Sequence, residues 1–539
     1  MNLPAPSALA RLLSAAALAA CVAAPAAAAA IPPGTQLAAK QELVRNNGAE
    51  PETLDPARVE SVVTGSIVLD LFEGLTAADR HGDVMPGVAE SWKQVDATTW
   101  VFKLRKNAAW SDGKPVTADD FVYSWRRVLD PKTAAGNASS VAVYLFNGIE
   151  IVNGRKPPAE LGVRAIDAQT LEVRTAGPVP YLAAVTTAVQ LAPQPRATVE
   201  KFGQEWTKPG NMVSNGAYAL KAWQVNSKVV VEKNPAYWDA ANVQLTRVTY
   251  LCVEDTNADL KLYQSGEEDI MLRIPAGVYA ALKAQYPGEL RSGLILALRY
   301  YSLNNQDPVL KNVRVRKALS MALDRDILAS KVTADGQAQV YGLDVKGVAG
   351  LQARYDWADW PMDKRVAEAR RLLAEAGVKP GTRLALTYIN SDYHKKMALF
   401  VASEWKSKLG LETEVTSIEG KALLQRRHTG EFQIMGGGWV ADFADATQFL
   451  PLVQCGSDAN DDRSCNAQAD ALMAQGNLST DPSRREALLT QATKLAMDDY
   501  PLIPTLQNSL PRLVKPWVGG YEANGLGRQR SKDLYILKH

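Results

Sequence analysis

Thr99-Trp100-Val101-Phe102-Lys103-Leu104-Arg105 alternates in character, so that Trp100, Phe102 and Leu104 share one face. A period of two marks a half-buried strand. The chain then passes through Trp110-Ser111-Asp112-Gly113-Lys114-Pro115, which supplies turn chemistry, to Thr117-Ala118-Asp119-Asp120. There the threonine hydroxyl can accept from a first-turn amide while Asp120 accepts in return, a cap that starts a helix. Phe121, Val122, Trp125 and Val128 form the apolar stripe of that helix. Further along, Val315 to Val332 places Ala318, Leu319, Ala322, Leu323, Ile327 and Leu328 at helical spacing. Asp363 opens another helix, whose expected buried face is Val366, Ala369, the Arg370 stem, Leu373 and Ala376, closed by Gly377 as a left-handed cap. Strands and helices mixed in this way, with no fixed-period repeat, indicate an α/β or α+β protein.

At 539 residues the chain exceeds what one hydrophobic core supports, so two or three domains are expected. Lys and Arg at 60 nearly balance Asp and Glu at 58, and a net charge of +2 is too weak a field to recruit nucleic acid or an anionic membrane. Residues 1–30 differ in kind: Arg11 is their only charge, and an alanine-rich run leads to Ala30. This reads as a signal peptide cleaved near Ala30, leaving a periplasmic protein beginning at Ile31. Leu18-Ala19-Ala20-Cys21 also fits a lipobox, and the alternative is a lipoprotein anchored at Cys21. No later segment is long and apolar enough for a membrane helix.

Export permits disulfides. Cys455 and Cys465 flank a polar stretch from Gly456 to Ser464, and a bridge stapling this loop is expected. Metal binding is the rival reading, although no histidine or second cysteine pair lies nearby in sequence. Cys252 is left over and is read as a small buried residue on a strand.

Catalytic motifs are scarce. The four histidines, His81, His394, His428 and His539, form no spaced metal set, and neither a P-loop nor G-x-S-x-G occurs. Ser403-Glu404-Trp405-Lys406 matches S-x-x-K, the pattern of a serine peptidase or penicillin-interacting enzyme. It falls inside the helical pattern Ala402-Trp405-Leu409, where a solvated face is the simpler reading. Neither catalysis nor a cofactor is expected.

Several strings resemble the oligopeptide-binding proteins of ABC importers. Leu43-Val44-Arg45-Asn46-Asn47-Gly48 with Leu54-Asp55-Pro56 and Leu71-Phe72-Glu73-Gly74-Leu75 looks like that family's opening. Gly87-Val88-Ala89-Glu90-Ser91-Trp92 resembles its signature. Asn215-Gly216-Ala217-Tyr218, Asn312-Val313-Arg314-Val315-Arg316 and Val514-Lys515-Pro516-Trp517-Val518-Gly519-Gly520-Tyr521 follow in the family's order. The resemblance implies an α/β, two-lobed, three-domain periplasmic-binding-protein fold. One domain combines residues 31–72, 196–297 and 509–539; residues 73–195 are inserted into that lobe, and 298–508 form the other. A hinge between the lobes closes them over the ligand. The implied partners are an oligopeptide and an importer's membrane permease, and the protein is expected to be a monomer.

The resemblance also implies a site. A receptor for many peptides must hold what peptides share, namely main-chain amides and charged ends, and adding the ligand as a strand does this. Gly436-Gly437-Gly438-Trp439-Val440-Ala441-Asp442 aligns with the family's ligand-pairing strand, so Gly438, Trp439 and Val440 would grip main chain. Asp442 would hold the ligand ammonium in a sealed, water-excluding gap. Arg58-Val59-Glu60-Ser61-Val62 aligns with the segment that pairs from the other lobe, giving Glu60 and Val62. His394 and Arg427 match positions that approach the ligand's distal end. Against the family pattern, an arginine is Gly436, a lysine is Asp307 and a tyrosine is Asn137, while Thr505-Leu506-Gln507 replaces aromatics. These departures predict a ligand that is longer, modified or without a conventional C-terminal carboxylate there. From the residues alone, a turn aspartate after a core strand, with Gly436 to Gly438 as a bulge, is the better description of 436–442.

Overall fold

The structure, a computed structural model, describes residues 31–539. The expected signal peptide and cleavage site, and the alternative anchor at Cys21, lie outside the described residues. Among those residues no helix is long and apolar enough to cross a membrane.

The alternation that opens the sequence becomes a strand, Thr99–Leu104, with Trp100, Phe102 and Leu104 buried. It pairs with Ala89–Asp96 and Thr170–Arg174, and Val163–Asp167 completes a four-stranded antiparallel sheet. The capped helix runs Ala118–Leu129, with Asp120 Oδ2 accepting from the Thr117 N–H at 2.8 Å. All four residues of its predicted stripe are buried. A second four-stranded sheet orders Glu42–Asn46, Arg247–Leu251, Lys228–Lys233 and Tyr218–Gln224, the first pair parallel. One continuous core joins both sheets and takes in Val514, Val518, Leu534 and Ile536 from the C-terminal tail. This is the first lobe. Glu73, fully buried, helps hold the tail there: it accepts from Tyr237 Oη at 2.6 Å and lies 3.4 Å from Arg530 Nη2.

The second lobe has its own core, from Leu296 to Leu506, around a six-stranded sheet. Its strand order is Ala338–Gln339, Leu502–Ser509, Leu294–Leu303, Ile434–Val440, Arg383–Ile389, Glu412–Ile418. Two segments cross between the lobes. Leu290–Arg291 pairs with Arg512–Leu513 on one side, and Leu294–Leu303 pairs with Leu502–Ser509 on the other. The register slips between Leu294 and Leu298 and again between Arg299 and Tyr300, irregularities that locally disrupt and bend a ladder.

Three local readings are corrected. The helix expected from Val315 to Val332 runs Val313–Ala322 and stops, because Leu323 is extended and the Asp324 carboxylate caps a new turn by accepting from Asp326 and Ile327. The Met362–Glu375 helix buries Arg365, Ala369, Leu372 and Leu373, whereas Arg370 is exposed and donates to the Lys408 carbonyl at 2.6 Å. Cys252 sits just past the Arg247–Leu251 strand, half-buried, its thiol pushed up to about 12 by burial and by Glu50.

Candidate functional site

Between the lobes lies a cavity of about 240 Å³, lined on one side by Val59, Glu60 and Val62 and on the other by Asp442 and Phe443. The first-lobe wall is pinned by Glu52. Its carboxylate accepts from the Glu60 and Ser61 amides at 3.0 Å each, from the Ser61 hydroxyl at 2.7 Å and from the Thr64 hydroxyl. Burial raises this carboxyl, but the hydrogen bonds outweigh it, Thr64's foremost, and hold it at about 2. The carbonyls are engaged as well: Val59 accepts from Gln190 at 3.1 Å, Glu60 from Asn137 at 3.3 Å and Ser61 from Gly65 at 3.0 Å. The segment expected to pair as a strand therefore has its amides at 60 and 61 spent and its carbonyls at 59, 60 and 61 each already accepting one bond. Val62 is the first residue of the helix Val62–Leu71, 60% exposed.

The second-lobe wall is a sheet edge. Ile434–Val440 pairs along its length with Leu294–Leu303, but on its other side Arg383–Ile389 pairs only through Leu386 with Ile434 and Thr387 with Met435. From Gly436 to Val440 that side carries no partner strand among the described residues, so the main-chain groups pointing there are available to a ligand. Val440 is 66% exposed, and the buried indole N–H of Trp439 has no hydrogen-bond partner. The glycines have a packing reason. A Cβ on Gly437 would stand 2.6 Å from the Tyr300 ring, and one on Gly438 would stand 3.2 Å from Arg299 Cζ.

Asp442 follows this edge. Its N–H donates to Gln448 Oε1 at 2.9 Å, and its carboxylate lies 4.0 Å from Arg528 Nη2, which belongs to the tail of the first lobe. The carboxylate expected in a water-excluding gap is 72% exposed, because the lobes stand apart. Phe443 crosses the gap and joins the first lobe's core, stacking on Tyr181.

Glu60, Val62 and Asp442 thus meet at one cavity, with Gly438, Trp439 and Val440 on the strand leading to it. His394 and Arg427 do not line it. His394 is half-buried in the first turn of the helix Asp392–Leu409, Nδ1 2.7 Å from Ser391 Oγ, and is held neutral down to about pH 4 by burial and by nearby Arg299. Arg427 is engaged elsewhere: its Nε donates to Asp461 Oδ2 at 2.7 Å, beside the disulfide loop. Cys455 and Cys465 are joined, so neither is free for the rival metal reading. Ser403 and Lys406 lie on the exposed face of their helix, Lys406 pairing with Glu412 at 3.2 Å. Asn137 and Asp307 have structural partners, Glu60 for the first and Gln433, at 3.2 Å, for the second. Thr505 and Gln507 are buried and brace the Leu294–Leu303 strand, donating to the carbonyls of Arg299 at 2.8 Å and Ile295 at 3.0 Å. Sequence reasoning missed Glu52, Arg299, Phe443 and Arg528. A lone acid or arginine gives no local signal, and each takes its meaning from a partner distant in the chain.

The sequence profile of the bacterial extracellular solute-binding proteins, family 5 middle, matches residues 83–461. The chain is 43% identical to the periplasmic oligopeptide-binding protein OppA of Escherichia coli (strain K12) over 516 residues, 94% of this chain and 95% of that one. Among solved structures, Burkholderia pseudomallei OppA is 47% identical, with a TM-score of 0.75 over 93% of this chain and all of that one. The unliganded open form of the periplasmic murein tripeptide binding protein MppA is 38% identical, yet its TM-score is 0.87, over 94% of this chain and 99% of that one. A second structure of MppA, from Escherichia coli, gives 0.75. The chain thus superposes more fully on the unliganded open form than on the other two structures.

Proposed function

The chain belongs to the family 5 bacterial extracellular solute-binding proteins, and we propose that it captures oligopeptides between its lobes and delivers them to the membrane permease of an ABC importer. The free edge of Ile434–Val440, facing the first lobe across an open cleft, carries this reading. A peptide laid along it satisfies its own N–H and C=O groups without its side chains being read. Asp442 receives the ammonium, Gly438, Trp439 and Val440 contact main chain, and Glu60 and Val62 close from the opposite lobe. When the lobes shut, Val62 and Val440 leave water and the ion pair at Asp442 strengthens as the local dielectric falls. The domain boundaries near residues 73, 196, 298 and 509, a periplasmic location and a monomeric state belong to the same reading.

The relatives are binding proteins, and no chemistry is assigned to Ser403 or Lys406. Titration calorimetry with a tripeptide pool tests the proposal: saturable binding accompanied by compaction in small-angle scattering is expected, and no heat with any peptide defeats it. Murein tripeptide run in competition separates a general peptide receptor from a murein-peptide receptor. A fluorescent penicillin label at Ser403 would reinstate the enzymatic reading.

A further inference from the structure

Arg299 stands directly opposite Gly438 in the antiparallel pair, and its guanidinium lies across that glycine rather than beside its own strand. It reaches the far side of Ile434–Val440, where its Cζ is 5.8 Å from the centroid of the Tyr393 ring. Tyr393 and His394 begin the helix that follows Arg383–Ile389, just beyond the point where that strand stops pairing. The guanidinium therefore occupies the open flank of the free edge. It forms no ion pair among the described residues, and its Nε is buried without a hydrogen-bond partner. The side chain is partly exposed and rests over the Tyr393 ring, so an anion arriving there meets a guanidinium with no acid of its own.

His394 is oriented to help. Ser391 Oγ accepts from the His394 N–H at 3.3 Å and lies 2.7 Å from ring Nδ1, so Nε2 is the ring nitrogen that this cap leaves unengaged. In the tautomer whose Nδ1 accepts from the serine hydroxyl, Nε2 carries the ring hydrogen and can donate to a ligand.

We propose that Arg299, with the Nε2–H of His394, receives a carboxylate of the bound peptide. The inference rests on the peptide-capture reading and adds to it a cation that the sequence pattern placed nowhere: the arginine missing at Gly436 is replaced functionally from the neighbouring strand. Gly438 and Asp442 are four positions apart, about 13 Å of extended chain at about 3.3 Å per residue. A ligand with its ammonium at Asp442 brings a C-terminal carboxylate to Arg299 after about three or four residues. An acidic side chain at that position offers the same group.

Calorimetric titration with trialanine, trialanine amide and Ala-Ala-Glu amide tests this in the wild type, Arg299→Gln and Arg299→Lys, with thermal melts confirming that each variant folds. Trialanine is expected to bind the wild type at least about tenfold more tightly than its amide, one charge-assisted pair being worth about 1.5–3 kcal/mol. Arg299→Gln should erase the difference, and Arg299→Lys should keep part of it. Recovery of affinity by Ala-Ala-Glu amide assigns the carboxylate to a side chain, and failure to recover assigns it to the terminus. Equal binding of all three by the wild type, or an acid preference that survives in Arg299→Gln, overturns the proposal. Absence of binding by any peptide is a different result and defeats the peptide reading itself.

Discussion

Phe443, on the segment leaving the second lobe's sheet, stacks on Tyr181 of the first lobe with ring centroids 5.8 Å apart. Tyr181 in turn meets Tyr144 edge-on at 6.1 Å, and the Arg485 guanidinium stands 5.3 Å from the Tyr181 centroid. The open lobes are thus already touching through a buried aromatic contact beside the cavity. Phe443→Ala should cost about 3 kcal/mol in urea unfolding, since a buried ring is lost. It should also broaden the ligand-free scattering envelope. An envelope identical to wild type would show that the stack does not restrain the lobes.

In the proposed function, Asp442 is the charge on which N-terminal recognition turns. Asp442→Ala should weaken trialanine by about 30-fold or more, because the ammonium would be enclosed without a counter-ion. N-acetyl-trialanine should bind wild type and variant alike. Calorimetry on both ligands checks this, and an unchanged free-amine affinity removes Asp442 from the site.

Asp259 and Glu268 are both buried in the first lobe with their carboxyl groups against each other, and the Asn46 N–H donates to Glu268 Oε1 at 3.2 Å. Burial, with Asp259 beside it, pushes Glu268 up to about 10 from its ordinary 4.5. In the folded chain this carboxyl keeps its proton where the unfolded chain has lost it. Its contribution is full below about pH 4.5 and is lost as pH rises toward 10. Glu268→Gln should therefore raise the melting temperature at pH 8 and leave it nearly unchanged at pH 4. Calorimetric melts at the two pH values decide.

The Cys455–Cys465 bridge closes a loop with a sequence separation of 10. Chain entropy over a loop of this size corresponds to about 2–3 kcal/mol. Cys455→Ser with Cys465→Ser should lose about that much, and reductant should lower the wild-type melting temperature but not the variant's. Peptide affinity should hold in both, since the loop and Asp442 line separate cavities.

The elements dictated by neighbours in sequence were legible. Period-two alternation gave Thr99–Leu104, and one capping pair gave Ala118–Leu129. The loop cysteines were close enough to foresee their bond. What escaped depends on contacts between distant segments. The buried face of Met362–Glu375 turned out to include Arg365, because a charged residue can bury where the other lobe elements supply its surroundings. The helix after Val313 broke at Leu323, where an apolar residue conforms to the periodic pattern while Asp324 ends it. Arg299 was invisible as a site residue because its meaning comes from the register that sets it opposite Gly438. The resemblance led to Asp442 and its strand, yet it also directed attention to Arg427, whose charge is consumed by Asp461.

The two connections between the lobes run side by side as neighbouring strands, irregular at Leu294–Leu298 and again at Arg299–Tyr300. Such a pair behaves as a door's pin and not as a ball joint: twisting one lobe about the other would shear main-chain bonds, while swinging it only deepens an existing bend. Motion is then confined to one arc. Every swing carries Asp442 back along the same path toward Glu60, so a cargo trapped anywhere on that arc meets the same jaws in the same order.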